Sequence, residues 1–303
     1  MSTQELSKRG AVWLDALTYS APLQPGYPPS VRVADARLGE HRARYIAVVP
    51  DPDNPFPRAR GGEVGLVEAW ELARAVRDVI AADKERDEKR AIVAVIDVAS
   101  QAYGRREEAY GIHQALAGAA DAYASARLAG HPVIGLIVGR AMSGAFLAHG
   151  YQANRLIALA DSQVMVHAMG KESAARVTLR SVADLEAFTA RVPPMAYDID
   201  NYASLGLLWK LLSVSDADAP TRADQTAVET SLQAAFDDIR RDPSRGLESR
   251  LGSEHRAASS TVEPVSTPYR NPALNASPAP VVSTQPFGTG KAGVSMNTPF
   301  ASR

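Results

Sequence analysis

The chain has no cysteine among its 303 residues. Thiol catalysis, disulfide bonds and thiolate metal sites are therefore excluded. Charge is balanced as well, with a formal net charge of −1, so the composition does not point to nucleic acid or to an anionic membrane. The first residues lack the apolar core of a signal peptide, and no apolar run reaches the roughly 18 residues of a membrane span. These absences predict a soluble, cytoplasmic protein with neither a nucleic-acid nor a membrane partner.

Apolar residues make up 46% of the chain, enough for a sizeable core, and the composition divides the chain into three parts. Residues 1–30 combine a short predicted helix with a proline-rich stretch and form an N-terminal arm. Residues 31–251 carry the strand-like and helical patterns of a globular domain. Residues 252–303 are rich in Ser, Pro, Thr and Ala. They are predicted to be a disordered tail, or a segment that orders only on a partner.

Strand-like and helical patterns alternate through the globular domain, which predicts an α/β fold. Two buried strands are predicted at Ile92–Val98 and Val133–Val138, because both runs are rich in β-branched residues and uncharged up to Asp97. The other predicted elements are a hairpin over 31–50, a long helix over 64–89, short strands at 155–160 and 163–168, and helices at 181–191 and 226–241.

Each buried strand runs into a turn of small residues, and each turn leads into a helix. The first turn is residues 99–104, and the helix after it is predicted to run unbroken to residue 129. The second turn is residues 139–145, followed by a short helix. Free backbone N–H groups at such strand–turn–helix corners can bind the oxyanion of a thioester enolate, because they are fixed in place and do not titrate.

Three segments give the chain a resemblance to a known family. They are GRREEAYGIHQAL, GRAMSGAFLAHGYQANRLIAL and VMVHAMGKESAARVT. The pattern resembles crotonase-fold enzymes and the carboxyltransferase subunits of biotin-dependent carboxylases. Among these it is most similar to the gamma subunits of malonate decarboxylases. The resemblance covers residues 45–166 and implies a crotonase-like (ClpP/crotonase) α/β fold with repeated ββα units.

The resemblance also implies an activity and a set of partners. Malonate decarboxylases of this family use a beta–gamma pair of carboxyltransferase-like subunits to convert a malonyl thioester to an acetyl thioester and CO2. An acyl-carrier protein holds the thioester on a CoA-derived, phosphopantetheine-type arm, so no cofactor is expected on this chain itself. The expected partners are the beta subunit and the acyl-carrier protein, with an acyl-carrier transferase subunit as an optional third.

Five residues at the corners are predicted to be catalytic. By register with the crotonase pattern, the N–H of Gly144 is the oxyanion donor at the second corner, and Ser143 and Ala145 flank it. At the first corner the predicted donors are Gly104 and Arg105. The resemblance implies that oxyanion contacts are divided between two subunits, so one of the corners can be structural in this chain.

Five further residues are predicted to contact the substrate: Gln101, Tyr103, Gly139, Arg140 and Met142. Arg140, like Arg105 and Arg106, is expected to bind the phosphates of the carrier arm. These arginines are less suited to binding the substrate carboxylate, because that group loses its charge in the transition state. The alternative for the arginines is exposed charge pairing with nearby glutamates, and for Met142 it is a place in the core.

Two histidines are candidates for protonating the carbanion. His113 lies in the helix after the first corner, and His149 ends the helix after the second. The alternative for both is a hydrogen-bonded structural role. Asp161 and His167 are near each other in sequence, but no third ligand with metal spacing accompanies them, so no metal site is predicted.

Two other functions remain open at this point. The chain could be a carboxyltransferase subunit that passes CO2 to biotin, in which case biotin would sit on another subunit, because the sequence has no Met-Lys-Met biotinylation signal. It could also be a non-catalytic scaffold that docks the beta subunit and the carrier protein. The scarcity of hydroxyl and carboxylate groups at the corners keeps this last alternative open.

Overall fold

The computed structural model describes residues 6–190, 192, 195–242, 244 and 246–250. The predicted tail, residues 252–303, lies outside the described residues. The strands are β1 Val31–Leu38, β2 His41–Val48, β3 Ala91–Val98, β4 Val133–Met142, β5 Arg155–Leu159, β6 Met165–His167 and β7 Lys210–Leu212. The helices are α1 Arg9–Thr18, α2 Leu66–Ala82, α3 Arg105–Ala109, α4 Ile112–Leu128, α5 Ser143–Ala148, α6 Lys171–Val177, α7 Val182–Thr189, α8 Ile199–Ser204 and α9 Arg222–Arg241.

The described strands form one mixed sheet in the order β1-β2-β3-β4-β5-β7, with β6 paired to β4 beyond β5. The predicted hairpin is confirmed, since β1 and β2 pair antiparallel from Val31 opposite Val48 to Leu38 opposite His41. The other pairings are parallel. All eight residues of β3 are buried, as expected for a central parallel strand whose two faces are both covered.

Helices cover both faces of the sheet. Side chains alternate along a strand, so Ile96 and Asp97 of β3 point to opposite faces. A Cβ at Gly150, which follows α5, would lie 3.2 Å from Cγ1 of Ile96, whereas a Cβ at Gly10 of α1 would lie 3.5 Å from Cβ of Asp97. The helices α1 and α5 therefore lie on opposite sides of β3.

The helix within the predicted N-terminal arm is part of the core. Trp13 and Leu14 of α1 are fully buried and belong to the same apolar cluster as the sheet. The Trp13 indole N–H donates to the carbonyl oxygen of Ala217 at 2.9 Å, and Arg9 forms an ion pair with Asp161 at 2.7 Å. These contacts fix α1 at the carboxyl end of the sheet, near the predicted corners.

The structure corrects two of the predicted boundaries. The helix after the first corner is broken, because Gly111 has a φ of +79° and separates α3 from α4. A glycine in this left-handed conformation ends a helix without the steric cost that a side chain would add. In addition, residues 139–142 are not part of a turn. They continue β4, since β6 supplies a partner from Arg140 opposite Met165 to Met142 opposite His167.

None of the described helices is both long and apolar enough to cross a lipid bilayer.

Candidate functional site

The two corners lie side by side at the carboxyl end of the sheet. The strands β3 and β4 pair in parallel as far as Val98 and Ala141, so the segments after them leave the sheet at the same edge. Ligands commonly bind at this edge in open α/β sheets. The fold thereby brings together the two corners that the sequence analysis selected separately.

The second corner begins at Ser143, which has a φ of +57°. A non-glycine residue in the left-handed region is strained by about 1–2 kcal/mol. The Ser143 hydroxyl donates to the carbonyl oxygen of Ala168 at 2.8 Å, which helps to hold this conformation. The corner is consequently sharper than the predicted turn, with strand on one side of Ser143 and helix on the other.

The N–H of Gly144 has a partner within the chain. It donates to Oε1 of the Gln101 side chain at 3.0 Å, so a side chain of the first corner contacts the backbone of the second. A Cβ at Gly144 would overlap this oxygen and would lie 3.3 Å from Cδ1 of Leu116. Glycine is therefore required at position 144 for the close approach of the two corners. The N–H of Gly144, which the sequence analysis predicted to be a free donor, is not free in this structure, because Gln101 accepts it.

The first corner is anchored by its backbone. The N–H of Val64 donates to Ser100 O at 3.0 Å, and the N–H of Ala102 donates to Val64 O at 2.9 Å. Gly104 then precedes α3 with an extended φ of −173°. Among the described residues, the N–H groups of Gly104 and Arg105 have no acceptor. These two N–H groups of the first corner are therefore open within the described chain, and their role as oxyanion donors stays a prediction.

A buried glutamate that the sequence analysis missed stabilises the loop next to this corner. Glu68 is fully buried, and its carboxylate accepts the N–H of Gly65 at 3.0 Å, the Ser30 hydroxyl at 2.7 Å and the Asn54 side-chain amide at 2.6 Å. The spacing of Gly65 and Glu68 is that of a capping box, and that spacing is the signal that could have revealed it. Glu68 fixes the loop that pairs with residue 101.

Arginines cluster around the first corner. Within the described part of the chain, no ion pair involves Arg58, Arg60, Arg105 or Arg106, and all four are exposed. The guanidinium of Arg106 lies 4.9 Å from the ring centre of Phe56, a cation–π distance. For Arg105 and Arg106, the predicted alternative of charge pairing with nearby glutamates is not what the described residues show.

An apolar groove of about 540 Å³ lies beside the second corner. Ser143 and Gly144 contribute to its lining, together with the side chains Phe146, Leu147, Val166, Met169, Val177 and Tyr202. Its walls come from α5, β6, α6 and α8. Leu147 and Val177 are 52% and 70% exposed, so the groove opens to solvent between large apolar side chains.

Several predicted contact residues lie away from this groove. Gly139 and Arg140 line a separate polar cavity of about 360 Å³, shared with Lys8 and Asp97 on the α1 side of the sheet. There the backbone N–H of Arg140 donates to Oδ1 of Asp97 at 3.1 Å. Met142 is buried, and Tyr103 is 58% exposed at the first corner.

His149 is a structural residue. It is fully buried, with Nε2 donating to Val95 O at 3.0 Å and Nδ1 accepting the Tyr123 hydroxyl at 3.0 Å. Burial lowers its pKa to about 4, so it is neutral at pH 7 and both ring nitrogens are occupied. The other candidate proton donor, His113, is exposed on α4 and is not among the lining residues of the groove.

Asp161 and His167 have different partners in the structure. Asp161 pairs with Arg9, whereas the His167 ring stacks on Tyr197 with centroids 3.9 Å apart. Across the described residues, no group of three or more His, Asp or Glu is arranged to bind a metal ion.

Solved structures identify the class of protein that this fold defines. The transcarboxylase 12S core matches with a TM-score of 0.58 at 18% identity, over 78% of this chain and 41% of that chain. The beta subunit of geranyl-CoA carboxylase from P. aeruginosa matches with a TM-score of 0.52 at 14% identity, over 73% and 38%. The fold is therefore that of the crotonase-like carboxyltransferase subunits, as predicted.

Closer relatives identify the family. The family model described as malonate decarboxylase gamma subunit matches residues 59–266. A chain of the Pseudomonas malonate decarboxylase hetero-tetramer in complex with coenzyme A is 65% identical, with a TM-score of 0.80, over 83% of this chain and 95% of that one. The chain belongs to the family of malonate decarboxylase gamma subunits, and membership makes it one subunit of a heteromeric decarboxylase.

Two further relatives extend the comparison. A chain of the Pseudomonas MdcD-MdcE hetero-dimer is 63% identical with a TM-score of 0.78, over 84% of this chain and 96% of that one. The malonyl-S-ACP:biotin-protein carboxyltransferase MADD of Malonomonas rubra is 32% identical over 234 residues, which is 76% of this chain and 77% of that protein.

Proposed function

We propose that this chain, paired with a beta subunit, releases CO2 from a malonyl thioester carried on an acyl-carrier protein. The observation that carries this proposal is the groove beside Gly144, whose described lining contains no lysine or arginine. His167 is in the lining, but burial lowers its pKa and favours the neutral ring. A carboxylate in this groove is not bound by a cation, so its charge can leave with the breaking bond.

The corners supply the complementary interaction. When the carbon–carbon bond breaks, its electron pair moves onto the thioester as an enolate, CO2 departs, and a proton from water then gives the acetyl thioester. A fixed N–H donor aimed at the enolate oxygen stabilises the transition state by about 3 kcal/mol. The open donors of Gly104 and Arg105 at the first corner are suited to this task.

The exposed rim of the groove supports a beta subunit as its cover. Leu147 and Val177 are large apolar side chains in contact with solvent, and such patches mark surfaces that bind other proteins. The similar Pseudomonas chain comes from an MdcD-MdcE hetero-dimer. We therefore place the thioester between this groove and a beta subunit.

The arginines of the first corner support a role in binding the carrier arm. A CoA-derived arm carries phosphate groups, and guanidinium groups bind phosphate with two parallel hydrogen bonds. Arg58, Arg105 and Arg106 are exposed, and the Arg58 side chain lies beside Gly104 of the first corner. The chain thus binds the arm as part of its substrate and holds no cofactor of its own.

The decisive experiment reconstitutes the complex from purified parts. This chain is combined with the beta subunit and with carrier protein loaded with a malonyl group, and CO2 release is measured. We expect CO2 only when both subunits and the loaded carrier are present. Full CO2 release without this chain contradicts the proposal and favours a scaffold role.

A biotin-linked reaction is the second candidate, because the Malonomonas rubra relative is a carboxyltransferase to a biotin protein. The same assay run with avidin separates the two. Decarboxylation that does not involve biotin continues unchanged, whereas transfer to biotin stops.

A further inference from the structure

Gln101 is fixed through its backbone and through its side-chain oxygen. Its backbone pairs with Val64 in a parallel bridge, supported by hydrogen bonds to the two residues that flank Gln101. Its Oε1 accepts the N–H of Gly144 at 3.0 Å. The nearby N–H determines which way the amide faces, because the opposite orientation would place two donors against each other.

The other end of this amide is free. Among the described residues Nε2 of Gln101 has no acceptor, and it is not one of the buried atoms without a partner. Since the side chain is half-buried, this nitrogen is open to solvent. A carboxamide whose oxygen accepts a hydrogen bond becomes a stronger donor through its nitrogen. Gly144 lines the groove, so the Gln101 amide contacts a residue of the groove wall through its oxygen, although Gln101 is not itself among the lining residues.

We infer that Gln101 is a catalytic residue whose side-chain N–H donates to the thioester oxygen as the enolate forms. The inference rests on the proposed function and changes the role of the second corner. The N–H of Gly144 positions Gln101, and Gln101 contacts the substrate. Gln101 transfers no proton. The electron pair of the broken bond moves to the enolate and CO2 leaves; water then supplies the proton that completes the acetyl group and is left as hydroxide.

Two substitutions test this in the complete complex with malonyl-loaded carrier. Q101A removes the donor and exposes the Gly144 N–H. We expect kcat to fall about 100-fold, the effect typical of losing one oxyanion donor. Q101E has nearly the same shape and still accepts from Gly144, but as a carboxylate it has no N–H. We expect a similar loss at neutral pH, with little change in KM.

The pH profile separates a donor from a structural residue. As pH falls and the carboxyl group introduced by Q101E gains a proton, the kcat of this variant relative to the parent should rise, because a protonated carboxyl can donate. Q101A should stay low at every pH relative to the parent. The matched controls are Q114A and Q114E, since Gln114 is exposed on α4 in the neighbouring helix and should leave kcat within about twofold.

The opposite results overturn the inference. If Q101A is as active as the parent or more active, Gln101 only covers the Gly144 N–H, and Gly144 is itself the donor. A Q101E variant with full activity at neutral pH has the same consequence.

Failure of the proposed function gives a different pattern. In that case the parent complex releases no CO2. The role of Gln101 is then tested by calorimetry, which measures how tightly the parent and variant complexes bind the malonyl-loaded carrier. About tenfold weaker binding by Q101E supports contact with the thioester, whereas unchanged binding overturns it.

Discussion

The two corners share one local architecture but differ in their surroundings. At the first, the glycine is extended, the backbone donors are open, and exposed arginines lie around it. At the second, Ser143 is in a strained conformation, the Gly144 N–H contacts Gln101, and the neighbouring groove has no lysine or arginine among its described lining residues. One corner is suited to charged groups and the other to an acyl group that loses its charge.

This contrast shows that a strand–turn–helix corner does not have a fixed role. The backbone supplies N–H groups in both places, but the neighbouring side chains decide whether these groups meet a ligand or the protein itself. The contact between Gln101 and Gly144 also makes the corners dependent on each other. Substitutions of equivalent residues at the two corners should therefore reduce activity by different amounts.

The largest effect is expected for Gly144→Val. A Cβ there overlaps Oε1 of Gln101, and Leu116 lies 3.3 Å away on the same side, so a branched side chain displaces the Gln101 amide. We expect kcat to fall about 1,000-fold, the upper range for loss of an oxyanion donor. The measurement is CO2 release by the reconstituted complex.

Gly104→Val is the matched control for this substitution. A Cβ at Gly104 meets Nε of Arg58 at 2.6 Å and Oε2 of Glu107 at 2.8 Å, atoms of long side chains rather than of the backbone. Its extended φ suits any residue. We expect a loss of less than tenfold, and equal losses at the two glycines would remove the contrast between the corners.

Arg105→Pro tests the open backbone donor of the first corner. Proline is tolerated at the first position of a helix, which Arg105 occupies in α3, and an extended preceding residue such as Gly104 suits it. The substitution removes the N–H while the helix remains. We expect kcat about 100-fold below that of Arg105→Ala, which removes only the side chain. Equal kcat values for the two variants would show that this N–H does not contact the enolate.

The free energy of unfolding is expected to depend on pH through His149, which follows the helix of the second corner. Its folded-state pKa of about 4 lies below the ordinary 6.5, so between these values the unfolded chain binds the proton more tightly. The stability from a neutral His149 is complete above pH 6.5 and is lost as pH falls toward 4, by up to about 3 kcal/mol. Urea unfolding of the full chain at several pH values measures this loss.

His149→Gln is the comparison for this pH effect. Glutamine can also accept from Tyr123 and donate to Val95, but it does not titrate. The difference in stability between the parent and this variant should shrink as pH falls from 6.5 to 4. A constant difference would mean that the ring is not buried as described.

The sequence predicted much of this architecture, because its strongest signals are local. The hairpin, the buried strands β3 and β4 and the two corners all follow from apolar runs that end in small residues. The extension of β4 did not, since it depends on pairing with β6. The contact between Gln101 and Gly144 joins residues 43 positions apart, and spacing along the chain carries no information on such a contact.

The smallest effect is expected for the double substitution Arg105→Ala with Arg106→Ala. Both guanidinium groups are exposed and without ion pairs in the described structure, so their contribution to binding the carrier arm is weakened by solvent. We expect KM for malonyl-loaded carrier to rise about tenfold with kcat nearly unchanged, the pattern of lost uniform binding. Added salt should raise the KM of the parent more than that of the variant, because the parent has more charge to screen.

Arg37→Ala, which removes another exposed arginine on β1, should leave KM unchanged. If Arg37→Ala raises KM as much, the effect belongs to overall charge, and the first corner has no special role in binding the arm.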